Sequence, residues 1–221
     1  MDVETLVTLR NIWKIYGKRA VLRGVNLNLE VGDVICIYGE NGVGKTTLLK
    51  IISGLIKPSK GSVFIMGSEV WGSQYKNLLG VLLHENILYE ELTIRENLEY
   101  YGYMYGLSSD GIYGMVEKLI NIFGLDKYLD TRVSSLSYGW RKRANIVRAL
   151  LNNPKIVLLD EPFIGLDVEA ANGLMELLIS ISMERGIIFT LSNIEDVNRF
   201  RDIYGDRMKF YVLKDGVLGE L

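Results

Sequence analysis

Eight consecutive residues, Gly39-Glu40-Asn41-Gly42-Val43-Gly44-Lys45-Thr46, satisfy the spacing G-x-x-x-x-G-K-[ST], and each residue type has a use against a polyphosphate. Glycines let backbone N–H groups wrap closely around phosphate oxygens, and a helix starting at the loop adds partial positive charge. Lys45 is placed to reach the outer phosphates, and Thr46 offers a hydroxyl to Mg2+, a hard cation that favours oxygen ligands. Thr47 is a second phosphate contact. Far downstream, Ile156-Val157-Leu158-Leu159-Asp160-Glu161-Pro162 is an apolar run ending in two carboxylates. As a strand it would set Asp160 and Glu161 at the carboxyl edge of a sheet, where ligands bind. There Asp160 can hold the metal through water, and Glu161 can orient and polarise an attacking water. Between the two motifs, Leu136-Ser137-Tyr138-Gly139-Trp140 puts a serine and a glycine ahead of a helical stretch through Ile146 and Leu150. Such a start suits an anion, and an ordinary N-cap is the plainer alternative.

These groups need a frame, and the hydrophobic pattern outlines one. Continuous apolar runs at Val34 to Tyr38, Ile156 to Leu159 and Ile187 to Leu191 predict strands buried on both faces, as in a parallel α/β sheet. Val25 to Glu30 alternates apolar and polar, a half-buried strand, with Leu6 to Tyr16 as another before it. Leu48, Leu49, Ile51, Ile52 and Leu55 have helical spacing, with Gly54 and Pro58 as stop signals. Between His84 and Ser135 the strand signals fade and helix formers dominate, in Ile94 to Tyr105 and Gly114 to Phe123. The expected architecture is one domain over residues 1–221: a core from 1–83 and 136–221, and a helical insertion over 84–135. No internal repeat, low-complexity segment or linker interrupts it.

Composition narrows the function classes. Twenty-five basic against twenty-seven acidic residues leave a net charge of -2, so no basic surplus points to nucleic acid. Cys36 is the one cysteine, which fits a reducing cytoplasm. The start at Met1 to Glu4 lacks the regions of a signal peptide, and no apolar run approaches the ~18 residues of a membrane span. A chain in the cytoplasm or peripheral to a membrane is expected.

Taken together, the phosphate loop, the Leu136-Ser137-Tyr138-Gly139 segment and the Leu158-Leu159-Asp160-Glu161-Pro162 strand end resemble the nucleotide-binding domain of ABC transporters over essentially the whole chain. The resemblance implies an α/β P-loop NTPase (RecA-like) core with an N-terminal antiparallel β subdomain and an inserted helical subdomain. It implies ATP and Mg2+ as ligands, and a head-to-tail dimer with a second cassette. A transmembrane permease subunit would be the other partner, at the cytoplasmic face of the membrane. By the same resemblance Ser137 and Gly139 serve the opposite subunit's ATP. Tyr16 takes the place of the aromatic residue that stacks on adenine, and Asp167, in Gly165-Leu166-Asp167, belongs to a segment crossing the dimer interface. Leu92 to Tyr101 is similar to the helical subdomain of cassettes serving ABC-2 type exporters.

Two departures from the family pattern bear on catalysis. His84 stands where the family usually has a glutamine that contacts Mg2+; imidazole is a nitrogen ligand, so a weaker or water-mediated contact, or a hydrogen bond to the nucleophile, is expected. The family's switch histidine should follow the last core strand, yet Ser192 or Asn193 fills that place and His84 is the chain's only histidine. Slow turnover with retained binding follows, and some members pair an impaired cassette with a competent one, which leaves homodimer and heterodimer both open. A regulatory cassette that binds ATP with little hydrolysis is one alternative, and a non-transport ABC ATPase of DNA repair or translation is another. A GTPase or small-molecule kinase would share the loop but not the Leu-Ser-Tyr-Gly segment.

Overall fold

The computed structural model describes residues 4–70 and 73–221; of the sequence features above, Met1 to Val3 lie outside them. The N-terminal alternation pleats into β1 (Thr5–Tyr16) and β2 (Arg19–Glu30), paired antiparallel so that Tyr16 faces Arg19. β3 (Val34–Tyr38) leads through the glycine-rich loop into α1 (Lys45–Ile52). The helix stops short of Leu55, which is exposed, so the apolar spacing overran it. β4 (Lys60–Ile65), the two-residue β5 (Ser68–Glu69) and β6 (Leu79–Leu82) follow.

Next come α2 (Ile94–Met104) and α3 (Ser109–Phe123). A capping box of Thr93 and Glu96 starts α2; Ser108 caps α3 and so starts it well before Gly114, where apolar spacing alone put it. Completing the chain are α4 (Tyr138–Leu150), β7 (Ile156–Leu159), α5 (Val168–Ser182), β8 (Gly186–Leu191), α6 (Ile194–Tyr204), β9 (Lys209–Lys214) and β10 (Val217–Glu220).

Two sheets result. One is antiparallel, in the order β2-β1-β4-β5; the other runs β10-β9-β3-β8-β7-β6 and is parallel apart from the β9–β10 hairpin. Successive residues of a central strand point to opposite faces, and each face has its own core. Ile35, Ile37, Ile156 and Leu158 pack with α1 and the antiparallel sheet, through Leu48, Leu49, Leu6 and Leu9. Val34, Cys36, Val157 and Leu159 pack with the helices on the other side, through Ile146, Leu174 and Phe200. Cys36 is buried there, and burial pushes its thiol far above the ordinary range. This is an α/β fold whose parallel sheet is covered on both faces, with an antiparallel sheet against one face and helices between β6 and α4.

Candidate functional site

In a parallel sheet the carboxyl ends of neighbouring strands open at one edge. Here β3, β8 and β7 lie side by side, and their ends carry Gly39, Ser192 and Asp160. The Gly39 N–H donates to the Leu191 carbonyl at 3.1 Å, tying the loop to the tip of β8. Gly44 turns the loop into α1 with φ 121°, a backbone conformation that side chains rarely adopt.

Lys45 is 6% exposed. Its ammonium donates to the carbonyls of Gly39 (2.6 Å) and Glu40 (3.2 Å) and lies 3.1 Å from Glu161 Oε1. That last contact is a charge pairing rather than an aligned hydrogen bond, since Glu161 Oε1 has no hydrogen-bond partner. The other oxygen, Oε2, accepts from the Ser192 N–H at 3.1 Å, and Glu161 holds a left-handed backbone, φ 48°. Asp160, fully buried, accepts from the hydroxyls of Thr46 (2.6 Å) and Thr190 (2.7 Å), one to each carboxylate oxygen. Lys142, on α4, reaches the Asp160 carbonyl at 3.4 Å; burial lowers its pKa while the Asp160 and Glu161 charges oppose that fall. Two buried carboxylates thus face two buried ammonium groups.

Above these groups opens a cleft of about 480 Å³, lined by Asn41, Gly42 and Gly44 to Thr47 of the phosphate loop with Arg19, Val21, His84, Glu161 and Ile164. The Thr46 hydroxyl and the Asp160 carboxylate form an all-oxygen donor pair, which fits Mg2+. Among the described residues no three His, Cys, Asp or Glu side chains cluster as a metal cage.

The other sequence candidates fall at varied distances from this centre. His84 is exposed and lines the cleft just beyond β6. Tyr16 is 50% exposed, with the Lys14 ammonium 5.1 Å from its ring centroid; its cross-strand partner Arg19, rather than Tyr16, lines the cleft. Ser137 precedes α4 as its N-cap, but its side chain makes no capping bond, unlike Thr93, Ser108, Asp167 and Asn193 at their helices. Ser137 is thus an N-cap by backbone position, with its hydroxyl left unused by α4. Gly139 abuts Gly165: a Cβ there would stand 2.6 Å from the Gly165 carbonyl oxygen.

Asp167 caps α5, accepting from the Ala170 N–H at 2.9 Å and pairing with Arg143. The Ala170 N–H foremost, and then Arg143, hold its carboxyl below the usual range. Asn193 spends its side chain on the Glu195 N–H at 2.9 Å, and Ser192 meets Glu161 through its backbone N–H. Thr190, Lys142 and Arg19 were missed from the sequence. For Thr190 the available signal was a hydroxyl inside an apolar buried strand.

A family model described as ABC transporter matches residues 22–164. The ABC transporter ATP-binding protein NatA of Bacillus subtilis (strain 168) is 38% identical over 185 residues, covering 82% of this chain and 75% of its own length. The lantibiotic transport ATP-binding protein SrtF of Streptococcus pyogenes is 33% identical over 201 residues, covering 90% and 86%. A dimeric ATP-binding cassette, solved in a post-hydrolysis state bound to ADP and Pi, superposes with a TM-score of 0.83 at 28% identity over 98% of this chain and 99% of that one.

Proposed function

The chain belongs to the ABC transporter family, and from that premise we propose that it is the ATP-binding subunit of a transporter, binding and hydrolysing MgATP in a head-to-tail dimer to drive a separate membrane permease in the export direction. One observation carries the site assignment: the loop's Lys45 and Thr46 are paired to Glu161 and Asp160 at one sheet edge. Lys45 and the loop N–H groups bind the outer phosphates, and Tyr16 stacks on adenine. Thr46 and Asp160 would hold Mg2+, which when bound neutralises charge on the phosphate oxygens. A triphosphate reaching Lys45 offers it another anion, which releases Glu161 to orient the attacking water. Ser137 and Gly139 face the opposite subunit's ATP, and Asp167 lies at the interface between cassettes. Among the described residues no helix is long and apolar enough to cross a membrane. In this proposal the membrane-crossing part is a permease partner, with this subunit on its cytoplasmic side.

A second reading, a regulatory cassette with little turnover, is favoured by one feature. No histidine side chain stands at the tip of β8, where Asn193 is used by α6 and Ser192 meets Glu161 through its backbone. Steady-state MgATP hydrolysis over a range of protein concentrations separates the two, with Glu161→Gln as background. Turnover that rises faster than linearly with protein and disappears in Glu161→Gln is expected. Confirmed ATP binding with no turnover would move the assignment to the regulatory cassette.

A further inference from the structure

The Thr190 side chain is fully buried near the end of β8, in a run otherwise composed of Gly186, Ile187, Ile188, Phe189 and Leu191. Its hydroxyl has one hydrogen, given to Asp160 Oδ1 at 2.7 Å, and it accepts the Glu161 backbone N–H at 3.0 Å. The parallel register pairs Leu159 with Phe189, so the residue after each strand's last pair meets the other: Asp160 and Thr190 are neighbours by sheet geometry. With Thr46 donating to Asp160 Oδ2 at 2.6 Å, the bonds form one directed chain from the Glu161 N–H through the Thr190 hydroxyl to the Asp160 carboxylate, with Thr46 entering from the opposite side.

This direction has consequences at both ends. Asp160 is an acceptor at both oxygens, so its plane is fixed. Thr46 spends its hydrogen on Asp160 and keeps its lone pairs for a cation. Glu161, left-handed at φ 48°, has its amide anchored, which fixes where its carboxylate leaves the backbone. We propose that Thr190 is a positioning residue for metal binding and hydrolysis, aligning the cation-binding carboxylate and the water-orienting carboxylate through a single hydroxyl. The inference rests on the roles given to Asp160 and Glu161 under the proposed function.

The test uses the full chain with Thr190→Val, which keeps the shape without the hydroxyl, and Thr190→Ser, which restores the hydroxyl. The primary readout is the Mg2+ concentration that gives half-maximal binding of a non-hydrolysable ATP analogue; kcat and KM for MgATP are the second. Thr190→Val is expected to need about 10- to 100-fold more Mg2+ and to lose kcat by a similar factor, while analogue affinity in EDTA stays within about twofold and Thr190→Ser returns to within about threefold of wild type. An unchanged Mg2+ requirement in Thr190→Val overturns the proposal, as does an equal shift in Thr190→Val and Thr190→Ser, which would assign the effect to packing. If Thr190→Val does not fold, Thr190→Cys, of similar volume and with a weak donor, carries the same comparison. Asp160→Asn separates the layers. A normal Mg2+ requirement there defeats the underlying assignment of Asp160, whereas a shift there with none in Thr190→Val defeats the Thr190 proposal alone.

Discussion

Lys45 and Glu161 are almost wholly buried, with side chains 6% and 4% exposed, and each is the other's main counter-charge. Removing one partner of a buried pair leaves an uncompensated charge, at a cost of about 3 kcal/mol or more. Lys45→Ala therefore has two effects with different causes. It removes the cation that meets the phosphates, so ATP affinity should fall by at least about 100-fold, as expected for losing a charge-assisted contact in a desolvated site. It also strands Glu161, so the nucleotide-free protein should melt about 6–10 °C lower. Adding Glu161→Gln removes the stranded charge and should restore most of the melting temperature without restoring ATP binding. Calorimetry and nucleotide titration on the single and double variants check both arms; ATP affinity recovered in the double variant would mean that Lys45 acts only by neutralising Glu161.

At the scale of elements, helix starts divide by what their caps do. Thr93, Ser108, Asp167 and Asn193 accept from their own helices, whereas the Ser137 side chain makes no such bond at α4. Losing a cap costs about 1 kcal/mol, so Asp167→Ala should lower the melting temperature by about 2–4 °C at neutral pH. Asp167→Asn should stay close to wild type, because Asn caps as well and the ion pair it loses to Arg143 involves an Asp side chain that is 64% exposed and screened. Since the Asp167 carboxyl is depressed in the fold, its contribution is complete above the ordinary carboxylate value and fades as pH falls through the depressed one. The gap between wild type and Asp167→Ala should narrow in that acidic window by the share owed to charge, while the neutral carboxyl still accepts the Ala170 N–H; a gap independent of pH would mean that the carboxylate charge contributes nothing. The same scale decides what the sequence could reveal. The loop from Gly39 to Thr46 and the strand ending in Asp160-Glu161 are local patterns, readable in a linear string. Thr190 is not, because its partners are set by β8 lying next to β7 in the sheet. β9, β10 and the short β5 escaped for a related reason: they are edge or near-edge strands with mixed exposure, so their periodicity is weak. The start of α2 at Ile94 is legible, whereas that of α3 after Ser108 depends on a side-chain cap that apolar spacing does not register.

For the whole molecule, assembly decides where Ser137 and Gly139 act. Neither lines the cleft beside Lys45, and Ser137 is exposed at a helix start whose N–H groups its own side chain does not satisfy. A helix N-terminus of that kind attracts an anion from outside, and a two-fold dimer supplies one if each cassette presents this surface to its partner's triphosphate. Ser137→Glu would set a like charge against that triphosphate, so the variant should bind ATP as a monomer yet fail to turn over. Lys45→Ala has the opposite defect, an intact Ser137 with a disabled phosphate loop. Mixed in equal amounts, two inactive proteins should regain activity: half the dimers pair one of each, and each such dimer holds one composite site with both Lys45 and Ser137 intact. If single sites work independently, the recovered rate is about a quarter of wild type. A mixture that stays silent although both variants still dimerise would mean that turnover needs two intact sites at once. Full activity in Ser137→Glu alone would instead remove the segment from the partner's ATP altogether, and with it the reason for a head-to-tail arrangement.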